Sequence, residues 1–190
     1  MKLLTQIARF LTGLLFAFSG FVKGIDPMGT AFKLGDYFTA FRMDFLGDLA
    51  LPLSIVLCLV EFVTGMMLMS GALIKPASWM AAIFIAIFTP LTLVLAIWNP
   101  VSDCGCFGDA IKLTNWQTFG KNVILIIFTI ILAAGRKKII PVFKPLKEWM
   151  LIAAAVIAFV LFSLLNLKYL PVIDFLPYKT GVNIAENMKI

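Results

Sequence analysis

Two cysteines stand one residue apart in Asp103-Cys104-Gly105-Cys106-Phe107-Gly108-Asp109, a polar loop between long apolar runs. Two residues of chain span at most about 7 Å, and disulfide Cα atoms usually sit about 4.4–6.8 Å apart. A Cys104–Cys106 bridge is therefore within reach if the chain turns. Gly105 permits the turn, because glycine takes φ > 0 without a Cβ clash. So small a ring removes little chain entropy and stabilises a fold weakly, whereas strained, exposed disulfides are the reducible kind. Thiol–disulfide chemistry is the favoured reading, against two others. One is a tight structural turn in which the cysteines are incidental. The other is metal binding, but a structural zinc site wants four Cys or His ligands, and the chain has three cysteines and no histidine. The C-x-x-C-H pattern of haem attachment is missing from the sequence. Asp103 and Asp109 flank the pair, and nearby negative charge raises a thiol pKa. The sequence thus predicts a relay or disulfide acceptor rather than a strongly activated thiolate, with Lys112 and Lys121 as the cations that could offset the carboxylates.

Glu61 is the second unusual residue, in the middle of the apolar run LCLVEFVTGMML. A carboxylate there normally faces a bundle interior, a partner or a water-filled cavity. Depths counted at 1.5 Å per residue from the helix ends bring Arg9 and Glu61 to nearly the same level, so Arg9 is the expected partner. The two read either as a structural ion pair or as a proton or quinone site, in which Glu61 and Arg9 are the candidate binding residues. Cys58, one turn before Glu61 on the same face, is a candidate third thiol but reads first as a small buried hydrophobe.

The elements that must position these groups are membrane helices. Hydrophobic residues make up 62% of the 190 and charged residues 14%, and mean hydropathy is +1.02, far from a soluble domain, which is about a quarter charged. Five spans are expected, over about 3–22, 50–74, 78–98, 117–135 and 148–167, leaving a cysteine loop at 99–116. A signal peptide is disfavoured for the first, since Arg9 interrupts its apolar stretch and no small-x-small cleavage site follows. The net charge of +6 does not point to nucleic acid, because no basic patch is interleaved with aromatics. Cations tie between the two sides, but five of the inner ones crowd into residues 136–147, which predicts a cytoplasmic N-terminus with the cysteine loop and C-terminus outside. Trp79, Trp98, Trp116 and Trp149 fall at span ends, where aromatic belts lie. On the outer side thiols can be held oxidised.

Between the first two spans, polar Lys33, Asp36, Thr39 and Arg42 recur within an apolar stretch, the rhythm of an amphipathic helix in the interface. Asp26-Pro27 marks its start and Gly47 its end. Such a helix either roofs the cysteine loop or simply covers the bundle's rim. Thr89-Pro90 predicts a kink, and Thr64, Gly65 and Ser70 predict close helix approach. Residues 1–167 thus form the membrane domain. Residues 168–190, with Pro171, Pro177 and Gly181, read as an extracytoplasmic tail and as the start of a truncated soluble part.

The runs RFLTGLLFAFSGFVKGIDPMGTAFKLGDYFTAF, VEFVTGMMLMSG and SDCGCFGDA followed by NWQTFGKN resemble the DoxX/MauE superfamily of small membrane proteins. The resemblance covers roughly residues 9–122 and is carried by the combination of SGFVKG, Glu61 and CGCFGD. It implies an all-α, DoxX-like four-helix membrane bundle, here with an additional C-terminal helix. DoxX-type proteins are associated with quinone-linked oxidation of sulfur compounds, and MauE-type proteins with forming disulfides in an exported dehydrogenase subunit. By position Cys104 and Cys106 match the family's cysteine motif and Glu61 its intramembrane acid. The resulting expectation is a bacterial inner-membrane protein, a thiol–disulfide or quinone-linked oxidoreductase. Cys104, Cys106 and Glu61 are its catalytic candidates, a thioredoxin-like or other thiol protein its extracytoplasmic partner, and quinone its candidate acceptor. Two further readings stay open. One is a non-catalytic assembly subunit or chaperone of a larger complex. The other is a small-solute transporter using Glu61 and Arg9, disfavoured because the chain lacks paired interrupted helices.

Overall fold

The architecture is that of a computed structural model, which describes residues 2–101, 103–136, 139, 144–169, 173 and 175. Lys137 and Lys138 of the basic cluster, Ser102, and nearly all of the expected tail beyond Tyr169 lie outside the described residues. Among the described residues six α-helices follow one another: α1 Lys2–Ile25, α2 Pro27–Ala40, α3 Ala50–Ser70, α4 Ile74–Trp98, α5 Asn115–Gly135 and α6 Pro145–Lys168. A 3₁₀ turn, Asp44–Leu49, leads into α3. The chain is an all-α membrane protein. Among the described residues, five stretches are long and apolar enough to cross a bilayer: Leu3–Ile25, Asp44–Ser70, Ile74–Trp98, Asn115–Gly135 and Pro145–Lys168.

Local chemistry sets the helix ends. Asp26 accepts a hydrogen bond from the Gly29 N–H at 2.8 Å and caps α2, with Pro27 at the first position, where its missing N–H costs nothing. Thr114 and Gln117 form a capping box, so α5 begins at Asn115. Gly71, at φ 75°, ends α3 in the left-handed conformation that favours glycine. The expected boundaries at residues 74 and 78 are therefore corrected: α3 stops at Ser70, and Lys75-Pro76 sits in the first turn of α4. The amphipathic helix ends at Ala40 rather than near Gly47, which lies in the 3₁₀ turn. Pro90 lies inside a helix that continues to Trp98.

Helices α1, α3, α4 and α5 close a four-helix ring, α6 lies along the outside of α1 and α3, and α2 lies over α3 at one end. The α1–α3 contact is the tightest. A Cβ on Gly65 would fall on the Ala17 backbone, and one on Gly20 would come within 2.5 Å of the Phe62 nitrogen. These pairings fix an antiparallel register. By that register α3 starts about seven residues, roughly 10 Å, beyond the level where α1 stops. The notch so formed is filled by α2 and by the cysteine loop. At the other end the core is apolar, with Leu68, Ala77, Ala81 and Leu132 fully buried.

Candidate functional site

The loop joining α4 to α5 is tethered at several points by α1, α2 and α5. At its base the Asn115 amide donates to Asn99 Oδ1 at 2.7 Å and to the Val101 carbonyl at 2.9 Å, which ties the loop's two ends together. From α2, Lys33 Nζ lies 2.5 Å from Asp103 Oδ1, and the Tyr37 hydroxyl donates to the Cys104 carbonyl at 2.7 Å. From α1, the Ser19 hydroxyl lies 2.7 Å from the Cys106 carbonyl oxygen. Phe107 is buried, its ring 5.6 Å from that of Phe18. The amphipathic helix α2 therefore does roof the cysteine loop, as one of its two expected roles.

Gly105 and Gly108 hold φ at 65° and 53°, and the Gly108 N–H donates to the Gly105 carbonyl at 3.0 Å. This turn brings the Cys104 and Cys106 sulfurs to 2.9 Å as thiols. Cys104 is buried and Cys106 partly exposed. The pair shares a proton unequally. The Cys104 thiol donates to Cys106, and Lys121 and Lys23 face the acceptor, so Cys106 is lowered to about 6 against the opposing effect of its partial burial. Cys104, holding the hydrogen bond and buried, is pushed up. Burial also raises Tyr37, with the nearby cysteine thiols adding to it, so Tyr37 remains a neutral donor. The sequence-based expectation of a weakly activated thiolate is corrected for Cys106. Lys33 holds Asp103, Lys112 lies 4.0 Å from Asp109, and the sulfur meets lysines instead of free carboxylates.

Glu61 is buried at 7% exposure, and its partner is Lys23, not Arg9. Lys23 Nζ lies 2.5 Å from Glu61 Oε2, and Ser19 Oγ lies 2.9 Å from the same oxygen. The expected Arg9–Glu61 pair does not form. By the α1–α3 register Arg9 stands level with the α3–α4 turn, about 18 Å from Glu61, and its Nε and Nη1 are buried without a hydrogen-bond partner. Counting depth from helix ends failed because α1 and α3 are offset along their axes, with α3 starting about seven residues beyond the level where α1 stops and α1 itself running on to Ile25. Lys23 is therefore a helix residue facing α3 and not a cation in the outer loop. Its neighbour Cys58 is fully buried.

Below the sulfurs opens a cleft between α1, α2, α3, α4 and α5. Leu15, Phe16, Phe84, Phe88 and Leu125 make its apolar walls, and Ser19, Lys23, Tyr37, Glu61, Lys121 and Asn122 its polar points. Phe84 and Phe88 stack at 5.7 Å. Asn122 donates to Thr92 Oγ1 at 3.0 Å, bracing α5 on α4. Lys121 Nζ sits 4.8 Å from the centre of the Phe107 ring. Cys104, Cys106 and Glu61 thus converge on one cleft and Arg9 does not line it. Sequence reading missed Ser19, Lys23 and Tyr37. Ser19 and Lys23 are spaced i, i+4 on one helix face inside SGFVKG, a signal that was present but masked by placing the helix end at residue 22.

The sequence profile of one family, described as Methylamine utilisation protein MauE, matches residues 1–135, which contain every side chain of this cleft. No curated protein and no solved structure matches the chain. The match spans well over half of the chain and agrees with the resemblance carried by SGFVKG, Glu61 and CGCFGD: the chain belongs to the MauE family of membrane proteins.

Proposed function

We propose that the protein is a thiol–disulfide oxidoreductase of the bacterial inner membrane that oxidises thiols of an extracytoplasmic partner, its N-terminus cytoplasmic and its cysteine loop outside. The observation that carries the reading is the Cys104–Cys106 pair: two sulfurs 2.9 Å apart on a tethered turn, one acidic and partly exposed, the other buried. A thiolate stabilised in the reduced state makes the corresponding disulfide a stronger oxidant. The family's description as a methylamine utilisation protein accords with service to an exported enzyme of that process.

The electrons are accounted for as follows. A partner thiolate attacks Cys106 Sγ of the Cys104–Cys106 disulfide, and Cys104 leaves and takes a proton. The partner's second thiolate then displaces Cys106, which leaves as its thiolate. The partner is now a disulfide, and its two electrons reside on Cys104 and Cys106. The apolar cleft lined by Phe84, Phe88 and Leu125 would hold a membrane quinone, which would supply the two-electron acceptor needed to restore the disulfide, and Glu61 would pass a proton there. The stacked Phe84 and Phe88 and the donors around them support a planar ligand with carbonyl oxygens.

Trapping tests this reading. With Cys104→Ser, the Cys106 thiolate can still attack the disulfide of the oxidised partner and release one partner thiolate, but no Cys104 thiol follows to resolve the product, so a mixed disulfide should accumulate and run as a reducible, higher-mass band. A Cys104→Ser, Cys106→Ser double variant that supports the partner's maturation normally would show that the turn is only structural.

A further inference from the structure

Ser19 holds one hydroxyl proton and stands between two acceptors, Glu61 Oε2 at 2.9 Å and the Cys106 carbonyl oxygen at 2.7 Å. A hydroxyl donates only once. With Glu61 ionised, Lys23 and Ser19 both donate to Oε2, and the Cys106 carbonyl goes without the serine's proton. With Glu61 protonated, its O–H donates to Ser19 Oγ, and the serine's own proton turns to the carbonyl. We propose that Ser19 is a positioning residue that transmits the protonation of Glu61 to the cysteine loop, clamping Cys106 when the acid is neutral and releasing it when the acid is charged. The inference rests on the thiol–disulfide reading and adds to it a route by which a proton at Glu61 is felt at the sulfur.

The surroundings favour a local switch. The charged and titratable groups facing Glu61 and Cys106 are Lys23 from α1, Cys58 from α3, the Lys33–Asp103 pair and Tyr37 at the roof, Cys104 beside Cys106, and Lys121 from α5. Helix α4 brings apolar side chains to the cleft, and α6 carries charges only in its terminal turns. Lys33 is engaged with Asp103 and Tyr37 with the Cys104 carbonyl. That leaves Ser19 as the hydroxyl that joins the acid to the Cys106 peptide. The carbonyl belongs to the residue whose sulfur exchanges with the partner, between two glycines at positive φ, so losing its hydrogen bond frees Sγ to turn from Cys104 toward an incoming sulfur.

The test uses the reduced, full-length protein in lipid nanodiscs, with iodoacetamide as probe and mass spectrometry of the Cys106 peptide as readout. Rates are taken at the high-pH plateau, where the thiolate is fully formed and a changed pKa no longer matters. In Glu61→Gln the amide N–H donates to Ser19 as the neutral acid does, so the plateau rate should fall about 2- to 10-fold, the worth of one neutral hydrogen bond. In a Ser19→Ala background the same Glu61→Gln change should leave the plateau unmoved, and Ser19→Thr should restore the coupling. A plateau that Glu61→Gln does not lower, or lowers equally without the Ser19 hydroxyl, overturns the proposal. Should Glu61→Gln not fold, amide hydrogen exchange at residues 105–108 carries the test. Acidification should protect these amides in the native protein beyond the intrinsic rate change, and not in Ser19→Ala; equal responses overturn the proposal. The redox reading fails separately. A mixed disulfide trapped from a Ser19→Ala, Cys104→Ser variant keeps that reading even if the coupling is gone, and no trapped species from any variant sinks it while the alkylation data stand.

Discussion

Along the interface of α1 with α3, the half from Ala8 to Ala17 meets α3 with small and apolar groups, while the half from Ser19 to Lys23 meets it with a hydroxyl and an ammonium facing a carboxylate. In the first half backbone touches backbone, and Leu68 and Ala72 are fully buried. In the second half Gly20 still brings the two backbones together, but Ser19 and Lys23 beside it line the cleft and enclose a full ion pair. Both halves share the same two helices and the same register, so the difference lies in side chains alone. It also shows where function sits. A buried ion pair contributes little stability that well-packed apolar residues could not supply, so the packed half accounts for the fold and the charged half calls for another reason to exist.

Breaking the charged half should have the largest effect. Lys23→Met leaves Glu61 buried without its cation, which typically costs about 3–5 kcal/mol, read as a fall in the unfolding midpoint in detergent. Lys23→Met with Glu61→Leu should recover most of that loss and still leave the protein inactive. Stability that stays low in the double variant would mean that the pair organises the fold itself. The packed half should answer more weakly and without such a rescue. Gly65→Ala pushes a methyl onto the Ala17 backbone and should cost about 1–3 kcal/mol; an unchanged midpoint would show that α1 and α3 can separate freely.

A third contrast concerns the two thiols. Cys106 is held down at about 6, so its alkylation rate should rise as pH rises through about 6 and level off above it, while Cys104 labels only at much higher pH. Lys121→Met should move the Cys106 midpoint upward, because a facing cation is removed. Matching profiles for the two cysteines would contradict the unequal sharing of their proton. The smallest effect belongs to the rim. Lys112 is 65% exposed and 4.0 Å from Asp109, so Lys112→Ala should change stability by less than about 1 kcal/mol, and the contrast with Lys23 then measures what burial adds.

Much of this organisation is legible in the residues. Apolar runs locate the spans, Asp26-Pro27 locates the start of α2, and the spacing of Cys104, Gly105 and Cys106 predicts the turn that Gly105 makes at φ 65°. Glu61 stands out as the intramembrane acid from its neighbours alone. Its partner does not, because the relative height of two helices depends on which small residues let their backbones touch. Gly13, Gly20 and Gly65 set that height, and each could in principle have packed against other helices. The same holds for Cys106: its flanking aspartates are plain in the sequence, but the lysines that outweigh them arrive from α1, α2 and α5 through tertiary packing.

The central claim is that the two loop sulfurs join and part in the membrane where the protein works. Native membranes should be treated with a thiol-blocking reagent without reductant, then reduced, and the released thiols labelled with a second reagent and assigned by mass spectrometry. The account predicts that Cys104 and Cys106 escape the first reagent together and take up the second in equal measure, with the fraction rising under oxidising conditions. Complete blocking of both by the first reagent, whatever the redox condition imposed, would contradict it.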